Sequence, residues 1–171
     1  PGTEVIVANG PSADGTSGLV CDHAAVDRVL ELSDRNPNVA RNAGLAASTG
    51  DAIAFLGQGT RLESKWRLAV TEALTDGADA VTGPIHRKLG DDVTTEALEE
   101  TTVGSRAVRY FDAGNVVFTR EAIETLDGFD ERFEAGAARD TAHRMAGLGQ
   151  TLSWVPEAAV LRAQPGSSFH V

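Results

Sequence analysis

Between residues 4 and 82, short apolar runs alternate with segments of helical period, and each run ends in residues that stop a strand. Glu4–Ala8 is apolar and closes on Asn9-Gly10-Pro11, which predicts a buried strand and a turn. A helix starting near Asp14-Gly15-Thr16 is expected to reach His23. Asp27–Leu32 alternates as a strand, and Asn36-Pro37-Asn38 breaks it. The Ala-rich stretch Val39–Ser48 has helical spacing, Asp51–Leu56 is a strand, and Gly57-Gln58-Gly59 is a flexible stop. Glu63–Thr75 carries Trp66, Leu68, Ala69, Val70, Ala73 and Leu74 at helical spacing, and Ala78–Thr82 is the next strand. This order predicts an α/β fold with a mostly parallel sheet sandwiched by helices. Ligands of such sheets bind beyond the carboxyl ends of the strands, where Asn9–Asp14 and Gly57–Gly59 fall.

The rest of the chain continues the pattern less regularly. Residues 90–104 (GDDVTTEALEETTVG) are charged and Thr-rich, and read as a solvated loop or exposed helix. Val116–Phe118 is a strand, Arg120–Leu126 a helix, and a second helix is expected around Ala138–Gly147. Leu152–Val155 and Ala158–Leu161 finish as strands before a polar tail. No repeat or linker divides the 171 residues, so one domain is expected over 1–171.

Charge and composition exclude several functions. The net charge is −10, and only two of the fifteen basic residues are lysines. A phosphate backbone demands a basic face, so no nucleic-acid partner is expected. Two readings of the acidity stand side by side: a surface adapted to high salt, or an acidic protein from a GC-rich genome. Cys21 is the single cysteine, which rules out an internal disulfide and suits a reducing, cytoplasmic setting. No apolar run reaches the ~20 residues that span a bilayer, and no basic-then-apolar leader opens the sequence. A peripheral place at the inner membrane face stays compatible with this. His23, His86, His143 and His170 match no zinc spacing, and no P-loop, dinucleotide or G-x-S-x-G motif occurs.

Six motifs in order give a more specific reading. They are Val7-Ala-Asn-Gly-Pro-Ser-Ala-Asp-Gly-Thr16, Ala40-Arg-Asn-Ala-Gly-Leu45, and Ala47–Gly59. Then follow Gly114–Glu121 with Gly128–Phe133, the set Asp140, Arg144 and Gly149, and Pro156–Arg162. This series resembles the family 2 inverting glycosyltransferases. The resemblance implies a GT-A-like fold of the nucleotide-diphospho-sugar transferase type. It implies transfer of a sugar from a nucleotide-diphosphate sugar to a glycan, lipid-linked or protein acceptor. Asp140 would be the base that takes the acceptor hydroxyl proton during displacement with inversion. Asn9, Asp14, Arg41, Gln58, Arg139 and Arg162 would face the nucleotide or donor, and Asn115 the acceptor side.

The departures from the family pattern concentrate at the metal and nucleotide. The family's opening strand has no counterpart in 1–171: either the sequence lacks its start, or the sheet is incomplete and its edge is covered by a homodimer or partner glycosyltransferase. Ala8 replaces a nucleotide-facing Asp. Gly57 and Gly59 replace the D-x-D pair, Arg162 replaces a closing His, and Arg139 replaces a Glu. Relatives hold Mg²⁺ or Mn²⁺ with carboxylates to neutralise the leaving diphosphate. Glycine offers no ligand, so no metal cofactor is expected. Either Arg162 and Arg139 clamp the diphosphate instead, or the domain is a non-catalytic binding or scaffold subunit. Asp51, Trp66 and Trp154 are read as structural, the two tryptophans as core.

Overall fold

The computed structural model describes residues 2–11, 15–89, 92–96, 100–103 and 106–163. The first half runs β1 (Ile6–Asn9), α1 (Thr16–Cys21), β2 (Arg28–Glu31), α2 (Pro37–Ala47), β3 (Ala52–Leu56), β4 (Thr60–Leu62), α3 (Trp66–Thr75) and β5 (Ala80–Thr82). There follow β6 (Ile85–Leu89), β7 (Asp92–Glu96), β8 (Glu100–Val103), β9 (Arg106–Arg109), β10 (Asn115–Thr119), α4 (Arg120–Thr125), α5 (Ala137–Leu148), β11 (Leu152–Trp154) and β12 (Val160–Arg162).

The α/β class holds, but the pairing is mixed where the alternation predicts mostly parallel. The main sheet has the order β11-β5-β10-β3, and β10 runs antiparallel to both neighbours. β1 and β2 pair in parallel as a separate sheet, and β12 lies between β4 and β6 in another. β10 explains why the main sheet is central. Val116 and Phe118 face one core with Ile53, Phe55, Phe129 and Met145, while Val117 faces the other with Trp66, Val70 and Val160. A strand buried on both faces needs the continuous apolar run seen here. In the first core, Phe55, Phe118 and Phe129 meet edge to face, at centroid distances of 4.9–6.1 Å.

Two local expectations change. Asn36-Pro37-Asn38 starts a helix as well as ending a strand. The Asn36 side chain accepts from the Asn38 amide, and Pro37 takes the first helical turn, where its missing N–H costs nothing. In the Thr-rich stretch expected as a loop or exposed helix, residues 92–96 and 100–103 are strands. Their Val and Thr residues favour extended backbone, and this local preference prevails over the polarity. The remainder of that stretch lies outside the described residues.

Helix α2 also ties distant motifs together. Asn42 donates to the Phe129 carbonyl at 2.8 Å and accepts from the Phe129 amide at 2.9 Å. Asn38, fully buried, donates to the carbonyls of Asp130 and Phe133. The A-R-N-x-G-L and G-F-D-E-x-F segments are therefore two halves of one hydrogen-bonded joint. It fixes the wall of the cleft beside Arg41.

Candidate functional site

A cleft of about 760 Å³ opens over the carboxyl ends of β5 and β11 and between α2 and the start of α5. Arg41 reaches it from α2. The Arg41 guanidinium donates to Asn38 Oδ1 at 2.6 Å and lies 5.4 Å from the Phe129 ring centroid. Burial lowers the Arg41 pKa below its usual range, and the charge of Asp112 partly offsets this. Arg139 stands over the Tyr110 ring at 5.0 Å on the opposite wall, where Tyr110 also meets His143. Ala137 and Ala138 line the floor beside Arg139, at the first turn of α5, whose Gly136 cap gives no side-chain hydrogen bond.

Arg162 lies over Gly57, the first of the two glycines expected to replace the D-x-D pair. β12 pairs with β4 and β6, setting Arg162 opposite Thr60 and Arg87, and the Ala163 amide donates to the Gly59 carbonyl at 2.9 Å. This register lays the guanidinium over Gly57 and Gly114. A Cβ at Gly57 would stand 3.1 Å from Arg162 Nη2, and a Cβ at Gly114 would overlap the same nitrogen. Gly114 is thus required by the arginine's position, while a side chain at 57 would fit tightly against it. Asp112 takes a bidentate bond from it, at 3.1 and 3.3 Å, while the Gly114 amide donates to Asp112 Oδ1 at 2.6 Å. Burial pushes the Asp112 carboxyl up, but the bonds from Arg162 and Gly114 and the charges of Arg162 and Arg87 outweigh it, leaving it below the usual range.

This depression has a testable sign. A carboxylate whose pKa falls on folding stabilises the native state above its unfolded pKa of about 3.9, and loses that contribution as pH falls through its folded value. Asp112→Asn is expected to melt below the wild type at neutral pH. The gap should close below about pH 3.9. Thermal melts of both proteins across that range check it, and a gap that persists in acid refutes the pairing.

The structure does not bring every expected residue to the cleft. Asp140 lies in the first turn of α5, but its carboxylate accepts from Arg144 Nε at 2.7 Å. Arg144 in turn donates to the Leu126 and Gly128 carbonyls. Helical spacing sets residues 140 and 144 on one face, while Ala137, Ala138 and Arg139 turn to the cleft. In this arrangement Asp140 is anchored to Arg144 and does not line the cleft. Asn115 is not on an acceptor side: it is 1% exposed, accepts from Trp66 Nε1 and donates to the Gly83 and Ala158 carbonyls. Asn9 is nearly buried and donates to Ser17 and Glu31 at the end of β1, away from the cleft lining. Gln58 sits exposed in the turn after β3 and does not line the cleft. Asp14 lies outside the described residues.

Four cleft residues escape a reading from motifs: Asp112, Tyr110, Glu134 and Trp154. Asp112 carried a signal, since D-x-G marks a turn in which the aspartate binds the backbone two residues on. Trp154 was expected in the core, yet it is half-buried and belongs to neither core cluster. Trp66 does pack in the core as expected. The donor set does not fit a divalent cation. Gly57 and Gly59 supply no side-chain oxygen, the Arg162 guanidinium lies over Gly57 and Gly114, and Asp112 is already paired to it. Among the described residues no three His, Cys, Asp or Glu side chains gather as metal ligands.

The glycosyl transferase family 2 model matches residues 1–142. This chain belongs to glycosyltransferase family 2. Curated relatives support the same placement of the family 2 domain. The pre-mycofactocin glycosyltransferases of two Mycobacterium tuberculosis strains, CDC 1551 and H37Rv, are each 29% identical to it over 93% of this chain. The chain spans 37% of the length of those relatives. Among solved structures, GalNAc-T7 with UDP, GalNAc and Mn²⁺ superposes with a TM-score of 0.72 at 12% identity, covering 93% of this chain and 37% of that one. The mannosyltransferase PcManGT of Pyrobaculum calidifontis, in complex with GDP-Man and Mn²⁺, gives 0.72 at 19% identity, covering 95% and 48%. S. aureus TarS gives 0.68 at 17%, covering 94% and 51%. The family 2 domain thus has the GT-A-type fold of these glycosyltransferases.

Proposed function

We propose that the cleft takes the diphosphate end of a nucleotide sugar without a metal ion, and that the sugar passes to a glycan, lipid-linked or protein acceptor. The observation that carries this reading is the Arg162 guanidinium lying over Gly57 and Gly114, where the family's carboxylates would hold a cation; it stands behind Asp112, beside the cleft and not in its lining. A guanidinium there supplies fixed positive charge and planar donors to the leaving diphosphate. Asp112 orients it, and Arg41 and Arg139 add positive charge on two walls of the cleft. The complexes of GalNAc-T7 with UDP and GalNAc and of PcManGT with GDP-Man support a nucleotide ligand as the class to test.

A second reading has its own observation. Asp140 is bonded to Arg144 and absent from the cleft lining, as a non-catalytic binding or scaffold domain would allow. Calorimetric titration with UDP, GDP and dTDP, each with and without Mn²⁺, separates the two. The proposal expects metal-independent binding of at least one nucleotide, weakened about ten-fold or more in Arg162→Ala, or about 1.4 kcal/mol. Binding that needs Mn²⁺, or that ignores the variant, overturns the arginine's role. No binding by folded protein favours the scaffold reading.

A further inference from the structure

Trp154 stands at the carboxyl end of β11, paired in register with Thr82 of β5. Its backbone is held firmly. The Val155 amide donates to the Thr82 carbonyl at 2.9 Å, and the 155–158 turn crosses so close to Gly83 that a Cβ there would meet the Ala158 and Val155 carbonyls. The indole is half-buried, joins neither core cluster and lines the cleft. A large aromatic placed on a rigid strand end but left out of the core is surface spent on something other than folding.

The groups around it have a definite chemistry. Tyr110 lines the same cleft and is steadied by His143, with ring centroids 5.6 Å apart and a 3.2 Å contact between Tyr110 Oη and His143 Nε2. Arg139 stands over the Tyr110 face, and Glu134 borders the same opening. Aromatic faces beside a carboxylate and a guanidinium suit a ring with an apolar C–H face and hydroxyls around its rim. The faces bury the apolar side, and the charged groups bond the hydroxyls.

We infer that Trp154, with Tyr110, Arg139 and Glu134 of the same cleft, forms a binding platform for a pyranose ring of the acceptor. In naming that sugar an acceptor, the inference rests on the transfer reading above. The platform itself stands on the cleft geometry.

Saturation-transfer NMR on the whole chain tests it, with methyl glucoside, methyl galactoside, methyl mannoside, methyl N-acetylglucosaminide and their β-1,4 disaccharides as probes. At least one probe should receive saturation on its ring C–H protons and shift the tryptophan emission. Trp154→Ala should abolish the transfer, with Trp154→Leu as a second variant if the first fails to fold. Tyr110→Ala should weaken it at least several-fold, and Trp66→Phe should keep it. No transfer to any probe, or transfer that survives in folded Trp154→Ala, overturns the platform. If UDP or GDP displaces the sugar completely and itself shifts the Trp154 emission, the ring serves the donor base and the acceptor assignment falls. Nucleotide binding by calorimetry is read separately in the same variants. Sugar binding that depends on Trp154 without any nucleotide binding would keep the platform and reject the transfer reading.

Discussion

Asn115→Ala is expected to cost the domain about 3–4 kcal/mol, a large share of the 5–15 kcal/mol typical of a folded domain. The side chain is buried and joins three parts of the chain: Trp66 on α3, Gly83 after β5, and Ala158 before β12. Truncation leaves the Trp66 N–H and two carbonyls without this partner in a site closed to water. Each such buried group costs about 1–3 kcal/mol. Asn115→Asp keeps the acceptor for Trp66 but sets a carboxylate against the Gly83 and Ala158 carbonyls, so it should be no better. Urea unfolding followed by far-UV circular dichroism measures both. A midpoint shift worth less than about 1 kcal/mol would mean that water takes the place of the amide.

Gly114→Ala should be nearly as damaging, for a different reason. The added methyl falls on Arg162 Nη2 and crowds Asp112 Oδ1 at 2.9 Å. The guanidinium must move, its bidentate bond to Asp112 breaks, and overpacking of this kind costs about 1–3 kcal/mol. The diagnostic result is a rescue. Arg162→Ala removes the obstructing group, so the double variant should recover part of the loss, with a coupling of about 1–3 kcal/mol. Additive losses would show that the guanidinium does not lie over Gly114. Gly57→Ala should behave similarly but more mildly, because its Cβ keeps 3.1 Å from the arginine.

The two experiments probe one arrangement from its two sides. Asn115 holds Gly83 and Ala158, and so the approach of the last strands to the sheet. Arg162 then projects from β12 towards the glycines after β3 and before β10. A change at either end should alter nucleotide affinity as well as stability if the cleft binds as proposed.

The sequence by itself determined the α/β class, the family and most helices and strands. These depend on local periodicity and on ordered short motifs, which survive without contacts. It also revealed that glycines stand at 57 and 59 and an arginine at 162. It did not tell that these belong to one event, because only the pairing of β12 with β4 brings Arg162 beside Gly57. Asn115 was expected on the acceptor side, but the convergence of Trp66, Gly83 and Ala158 made it a core hydrogen-bonding hub. Asp140 matched the family's base by motif, while its bond to Arg144 is visible only in the folded helix. Trp154 looked like core, but strand β11 ends at the cleft. In each case the residue type was legible, while its partners came from segments far away in the chain. Burial and hydrogen bonding are properties of those partners, so only the tertiary structure decided them.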